Sequence, residues 1–307
     1  MKVLIATQKP FAAAAVKGIR EILEGAGHEV VLLEKYAEAK DLIDAVADVE
    51  AMIIRSDKVT PEVLDAAKKL KIVVRAGAGF DNVDLAAATA HGVVVENTPG
   101  QNANAVAELA IALMIFMSRN QFTPVSGIEV QGKKLGIQAC GNVGRRVGKK
   151  AEALGMKVLA TDPFIPAEKI AEAGAEPIAS VKELYAASDF ISIHIPATPE
   201  TIGSIGYDLI TSMPKGATLL NTARKEVIDE AGLEKALEDR PDLKYAADVA
   251  PDNIDVLREK FGTRVFATPK KMGAQTAEAN INAGLAAARQ IVAYFADGCT
   301  KFQVNKY

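Results

Sequence analysis

Short, unbroken apolar runs recur along this sequence, each separated from the next by a stretch of helical periodicity. That alternation restricts the fold more than any other feature. In the first third the runs are Val3–Ala6, Val30–Leu33, Met52–Arg55, Ile72–Arg75 and Val93–Val95. Between the first two lies Ala12–Glu24, with Val16, Ile19, Ile22 and Leu23 at helical spacing. A strand that is apolar at successive positions must be covered on both faces, and parallel neighbours need a crossover long enough to hold a helix. A second series repeats the pattern: Leu135–Ala139, Val158–Thr161, Phe190–Ile193, Thr218–Leu220, Tyr245–Ala247 and Val265–Ala267. The expected class is α/β, with two Rossmann-like, doubly wound domains of parallel sheet.

The Pro/Gly/Asn cluster Asn97-Thr-Pro-Gly-Gln-Asn-Ala-Asn104 reads as a boundary, and a long helix, Ala105–Arg119, leads away from it. A short polar loop, Asn120–Gly132, is expected before the second series. The last helix, Glu278–Ala296, is expected to cross back onto the first domain. The domains are then 1–98 with 277–307, and 99–276, with the active site in the cleft between them.

Composition removes several classes of function. The net charge is −3, with both signs mixed throughout and no basic run, which argues against nucleic acid. Leu109–Met117, the most apolar stretch, is too short to span a bilayer, and the first residues form a strand rather than a signal peptide. Cys140 and Cys299 lie far apart and read as reduced thiols, so a cytoplasmic protein is expected. His28, His91 and His194 are too scattered for a zinc site, and no metal is expected.

The chemistry concentrates in the second series. Lys134-Leu-Gly-Ile-Gln-Ala-Cys-Gly-Asn-Val-Gly-Arg145 reads as a buried strand, a tight glycine turn and the start of a helix. This is the expected phosphate-cradling entrance of a dinucleotide site, with Gly141 and Gly144 giving pyrophosphate access and helix packing. Ala139 replaces the first glycine of the usual three. Gln8-Lys-Pro10 follows the first strand of the chain, so the first domain has the architecture without the turn. Asp162 ends the next strand, about 20 residues beyond the turn, where an acid accepts hydrogen bonds from the adenosine ribose hydroxyls. A carboxylate there repels a 2′-phosphate, which favours NAD over NADP; the plain alternative is a solvated Asp opening a turn before Pro163.

Other polar residues follow the later strands. His194, in Ile193-His-Ile-Pro196, falls at the edge where such sheets bind ligands, beside the cofactor or as a structural histidine. Arg224 closes Asn221-Thr-Ala-Arg224; its planar fork can grip a carboxylate and polarise the neighbouring oxygen, although pairing with Glu226 on the surface is the simpler use of a lone Arg. Asp248 and the run Thr268-Pro-Lys-Lys-Met-Gly273 end the last two strands.

Taken in order, these stretches resemble the D-isomer-specific 2-hydroxyacid dehydrogenases, most closely the branch acting on 3-phosphoglycerate. The resemblance also rests on Arg75-Ala-Gly-Ala-Gly-Phe-Asp-Asn-Val-Asp84, Asn97-Thr-Pro99, Val106-Ala-Glu108, Ser192-Ile-His-Ile-Pro196 and Ala247-Asp-Val249. It implies that Asn142 and Val143 face the pyrophosphate, and that Thr222, Ala223, Arg224 and Asp248 line the nicotinamide half, with His194 and Pro196 close by. Arg224 would also hold the substrate carboxylate and C2 oxygen, helped by the backbone of Ala76, Gly77 and Ala78. Arg55, Arg75 and Asn102 would reach the far end of the substrate, where cations suit a phosphate. The family usually forms dimers through the nucleotide-binding domains, and helix Ala105–Arg119 would contribute to that interface. A longer form carries C-terminal regulatory domains, so with the sequence ending at Tyr307 feedback by serine through such a domain is not expected.

Two departures from the family matter. Its acid/base histidine falls on Lys270 or Lys271, and alignment of Met272-Gly-Ala-Gln-Thr276 favours Lys271. The glutamate that normally holds that histidine falls on Asn253, beside Asp252. A lysine-bearing variant of this branch is known. An amine base must have its pKa, ordinarily near 10.4, lowered, and the cations Arg224, the oxidised nicotinamide and the second lysine would do so. A glutamate would oppose that, so loss of both residues is coherent. The expected reaction is NAD-dependent oxidation of D-3-phosphoglycerate to 3-phosphohydroxypyruvate, the first step of serine biosynthesis, by a homodimer. Alternatives are a hydroxypyruvate or glyoxylate reductase, another D-2-hydroxyacid dehydrogenase, or an inactive NAD-sensing, corepressor-like protein.

Overall fold

The computed structural model describes residues 1–306. The chain forms two compact units, Met1–Asn102 together with the chain from Gln275 onward, and Ala103–Ala274.

The first unit starts with β1 (Lys2–Thr7), α1 (Ala13–Gly25), β2 (Glu29–Glu34), α2 (Ala39–Ala45) and β3 (Ala51–Ile54). It continues with α3 (Pro61–Ala66), β4 (Ile72–Arg75), α4 (Leu85–Ala90) and β5 (Val94–Asn97). The strands form one parallel sheet in the order β2-β1-β3-β4-β5. The central β1, β3 and β4 are buried almost throughout, which is why their sequences are apolar at successive positions; the edge strand β2 is half-buried.

The second unit opens with α5 (Ala103–Ser118), then β6 (Lys134–Gln138), α6 (Asn142–Ala153), β7 (Lys157–Thr161), α7 (Ala167–Glu172) and β8 (Glu176–Pro177). There follow α8 (Val181–Ala187), β9 (Phe190–Ile193), α9 (Tyr207–Thr211), β10 (Thr218–Asn221), α10 (Glu230–Asp239), β11 (Lys244–Ala247), α11 (Ile254–Phe261) and β12 (Val265–Ala267). The parallel sheet runs β12-β11-β10-β9-β6-β7-β8. The chain builds outward from β6 to β8, returns to lay β9 against the other side of β6, and builds outward again. The switch point between β6 and β9 is where doubly wound sheets bind ligands.

The last helix, α12 (Ala277–Asp297), belongs to the first unit. Thr276 caps its start by accepting from the Ala279 N–H, and Gly298 ends it in the left-handed region at φ +71°. Its Ala283, Ala287, Ala288 and Ile291 share a core with Ile19 and Leu23 of α1 and with Ile5, Ile53 and Val74 of the sheet. The two helices approach closely: a Cβ on Gly284 would lie 2.8 Å from Ile19, and one on Gly18 2.6 Å from Leu285. Beyond α12 the chain runs antiparallel to β5, where the Val304 N–H donates to the Val95 carbonyl at 2.8 Å.

Every expected strand is present, and β8, too short to leave a periodic trace, is added. The loop expected to be polar differs. It opens with three residues in the left-handed region, Asn120, Gln121 and Phe122 at φ +47°, +57° and +58°, and exposes Phe122, Val125 and Ile128.

Candidate active site

The last residues of six strands of the second unit pair in one row across the sheet: Thr161, Gln138, Ile193, Asn221, Ala247 and Ala267. The residue after each therefore falls along one sheet edge, in the order Asp162, Ala139, His194, Thr222, Asp248 and Thr268. Register alone gathers most of the residues singled out in the second half of the sequence.

At the switch point Ala139 has φ +76°, the conformation that a glycine adopts freely and an alanine resists, and its N–H donates to the Thr161 carbonyl at 2.9 Å. The turn keeps its shape although the glycine is missing. Gly141 is the N-cap of α6 and offers no side chain to the first amides of the helix; a Cβ there would meet nothing within 4 Å. A Cβ on Gly144 would lie 2.3 Å from the Ala139 carbonyl oxygen, so glycine is needed for α6 to pack on the turn. The first turn of α6 has no acid, and the cations Arg145 and Arg146 stand at its fourth and fifth positions, near the end where the helix dipole disfavours positive charge. An open, uncapped and electropositive helix start fits a pyrophosphate. Asn142 is exposed and Val143 half-buried at this start.

Asp162 holds the turn from the neighbouring strand. Its Oδ2 accepts from the Cys140 N–H and its Oδ1 from the Phe164 N–H, both at 2.9 Å. Each oxygen keeps a lone pair for a ribose hydroxyl. His194 is half-buried, with its Nε2 2.9 Å from the Ser192 Oγ. Burial lowers its pKa to about 3, so the imidazole is neutral and no proton reservoir at physiological pH. Pro196 is exposed, its carbonyl accepting from the Thr201 hydroxyl. The Thr222 hydroxyl is buried without a hydrogen-bond partner, an orphan that a ligand at this edge would satisfy. These features together fit NAD.

Asn221, to which the sequence reading gave no role, shapes the next turn. Fully buried, it accepts from the Ala223 N–H at 2.9 Å and donates to the Arg224 carbonyl at 2.8 Å. An Asn at the end of an apolar strand was the available signal. The brace presents Arg224, whose guanidinium donates to the Ala223 carbonyl and pairs with no carboxylate among the described residues, Glu226 included.

Asp248 is buried and turned onto its own loop. Its Oδ1 accepts from the Met272 N–H at 2.7 Å and the Thr268 hydroxyl at 3.0 Å, and its Oδ2 from the Gly273 N–H at 2.8 Å. Only a glycine fits at 273, since a Cβ would stand 2.9 Å from Oδ2. Asp248 thus fixes the loop that carries the exposed Lys270 and Lys271. Where the family has its glutamate, Asp252 pairs with Lys225, and Glu230 accepts from the Asp252 and Asn253 N–H groups. Among the described residues no group of His, Cys, Asp or Glu could hold a metal.

The substrate-side candidates lie in the first unit. Arg55 is half-buried and donates to the Lys9 and Pro10 carbonyls at 2.9 and 3.0 Å and to the Asn280 Oδ1, over the Phe11 ring. Burial lowers its pKa, though an Arg stays charged. Arg75 donates from Nε to the Arg55 carbonyl at 3.0 Å, and its guanidinium lies across Gly77, where a Cβ would be 1.5 Å from Nη1. The Ala76 N–H donates to the Ile54 carbonyl, and the Ala78 carbonyl accepts from Asn97. Asn102 is half-buried at the end of the unit.

Residues 109–270 match the model of the D-isomer specific 2-hydroxyacid dehydrogenase, NAD binding domain. The D-3-phosphoglycerate dehydrogenase of Methanocaldococcus jannaschii is 37% identical over 270 residues, covering 82% of this chain and 51% of that protein. That of Archaeoglobus fulgidus is 38% identical over 312 residues, covering 95% and 57%. The chain thus spans about half the length of the curated relatives it matches. The crystal structure of NAD+-bound 3-phosphoglycerate dehydrogenase from Entamoeba histolytica superposes with a TM-score of 0.90 at 51% identity, covering 100% of this chain and 99% of that one.

Proposed function

The chain belongs to the D-isomer specific 2-hydroxyacid dehydrogenase family, and on that premise we propose that it oxidises D-3-phosphoglycerate to 3-phosphohydroxypyruvate with NAD, as the first step of serine biosynthesis. The observation that carries the reading is the in-register row of strand ends, with Arg224 braced beside it and without a carboxylate partner. The names of the relatives support the substrate.

Gly141, Asn142, Val143 and Gly144 would hold the pyrophosphate, Asp162 the ribose, and His194, Pro196, Thr222 and Ala223 the nicotinamide half. When bound, NAD supplies the acceptor for the hydride from C2. Arg224 binds the substrate carboxylate in a two-bond fork and leans on the C2 oxygen, assisted by the backbone of Ala76, Gly77 and Ala78. Lys271 takes the C2 hydroxyl proton as a neutral amine and returns it as an ammonium in reduction. Asp248 keeps the loop of Lys271 in place. Arg75, Arg55 and Asn102 receive the phosphate. The active form is a cytoplasmic homodimer joined through α5, which is apolar on nearly all sides, and the loop exposing Phe122, Val125 and Ile128.

The test is NADH formation from 3-phosphoglycerate across pH. Lys271→Ala should lower turnover by about a hundredfold or more. Near-normal turnover in Lys271→Ala with collapse in Lys270→Ala would transfer the role to Lys270. A second reading, an oxidoreductase of unphosphorylated acids such as hydroxypyruvate or glyoxylate, is favoured by one observation: the Arg55 guanidinium already serves two carbonyls and Asn280. Preference for those acids, unchanged by Arg55→Ala, would establish it over the first.

A further inference from the structure

A cavity of about 290 Å³ opens in the first unit, lined by none of the residues given a role above. One wall is a face of α12, formed by Ala286, Arg289, Gln290 and Ala293; the others include Glu96 of β5 and Phe302 of the returning chain. Most of the lining is apolar, but two polar side chains break it. Glu96 is 1% exposed and Gln290 9%.

Gln290 presents an acceptor that lacks a donor, and Glu96 a carboxylate with a single hydrogen bond among the described residues. One Glu96 oxygen accepts from the Phe302 N–H at 3.1 Å, and its carboxylate forms no ion pair among the described residues. Burial raises its pKa, and Lys306 is the cation whose charge reaches it. The Gln290 Nε2 donates to the Asn97 carbonyl at 3.0 Å, which leaves the buried Oε1 with no partner. Each side chain thus holds one backbone group, the Phe302 N–H for Glu96 and the Asn97 carbonyl for Gln290, with capacity left over. A buried carboxylate with no ion pair among the described residues and a buried amide oxygen without a donor are each unfavourable alone. An ammonium, with three donors and one positive charge, answers both. At the rim Arg289 is exposed and pairs with no carboxylate among the described residues.

We propose that this cavity binds a free α-amino acid with an aliphatic side chain. Its ammonium lies between Glu96 and Gln290, its carboxylate at Arg289, and its side chain against Ala286, Ala293 and Phe302. Pro99 and Gln101 also line the cavity, and they belong to the segment by which the chain leaves the first unit. An occupant would therefore stiffen that segment.

Calorimetric titration of the full chain with L-leucine tests this, with N-acetyl-L-leucine, which lacks the ammonium, and isoamylamine, which lacks the carboxylate, as controls. L-Leucine should bind saturably, one per chain, isoamylamine severalfold more weakly, and N-acetyl-L-leucine not at all. Glu96→Gln should weaken binding about tenfold or more, the worth of a charged hydrogen bond. Arg289→Ala, at an exposed position, should weaken it severalfold, and NAD affinity should be unchanged in both variants. Absence of saturable heat up to about 10 mM L-leucine would mean that the cavity holds water only and would overturn the proposal. Equal binding of N-acetyl-L-leucine, or full affinity in both variants, would overturn it as well. Should Glu96→Gln not fold, Arg289→Ala and the two controls decide the matter.

Discussion

Ala139→Gly should make this protein more stable, although replacing alanine by glycine usually does the opposite. Ala139 stands at φ +76°, in the left-handed region. An L-residue with a Cβ gives up about 1–2 kcal/mol there. Glycine escapes that strain, but its freer unfolded chain costs about 0.4–1 kcal/mol. The difference leaves a net gain of about 1 kcal/mol. For a unit the size of Ala103–Ala274 this raises the melting transition by about 2–4 °C. Scanning calorimetry of the wild type and the variant measures it, and NAD affinity should stay close to that of the wild type because the turn keeps its form. Ala139→Val gives the opposite sign, since a β-branched side chain fits this region worse than alanine. Ala171→Gly, at an exposed position in α7, provides the ordinary case and should lose about 1 kcal/mol. A melting point for Ala139→Gly equal to or below the wild type would refute the reasoning.

Gly144→Ala forces a Cβ to within 2.3 Å of the Ala139 carbonyl oxygen. Overpacking of this kind costs about 1–3 kcal/mol, and because it displaces the start of α6, NAD titration should show weakened binding as well. Asp248→Asn cannot accept from both backbone amides and should cost about 2–3 kcal/mol in denaturant unfolding, with turnover falling more than NAD affinity as the lysine loop loosens. His194, held at about 3 in the fold and ordinarily near 6.5, should make the protein acid-sensitive. Below the unfolded value the unfolded chain takes a proton that the folded chain refuses, so stability is full above about pH 6.5 and is lost as the pH falls, by about 2–3 kcal/mol at pH 4. Urea unfolding of His194→Gln against pH should show that slope removed.

The fold was legible because burial on both faces writes itself directly into composition. β1, β3 and β4 each carry an unbroken apolar run since neither face meets water. Candidate residues stood out where a polar side chain follows an apolar strand, as with Asp162, His194 and Asp248. Less was legible where a residue's role depends on its conformation or on a distant segment. Alanine gives no sign that it will adopt the left-handed region, so residue 139 read only as a missing glycine. The turn at Asn120–Phe122 uses three non-glycine residues in that region, which no local preference favours. Glu96 reads as an ordinary polar residue ending a strand, and its burial needs the chain near Phe302, about two hundred positions away. For Asp248, composition does not encode that both of its oxygens accept from backbone amides some 24 residues later.

The return of α12 to the first unit has a consequence during synthesis. The sheet β2-β1-β3-β4-β5 emerges from the ribosome first, yet the helix that covers Ile5, Ile53 and Val74 comes only after the whole of Ala103–Ala274. At ordinary elongation rates that interval lasts roughly ten to thirty seconds. For that time one face of the sheet has only α1 over it, and the close seats at Gly18 and Gly284 stay unfilled. The second unit, continuous in sequence, can complete itself in the meantime. The half of the protein made first is therefore finished last, and slowing translation just before Gln275 would lengthen its exposure to chaperones and proteases.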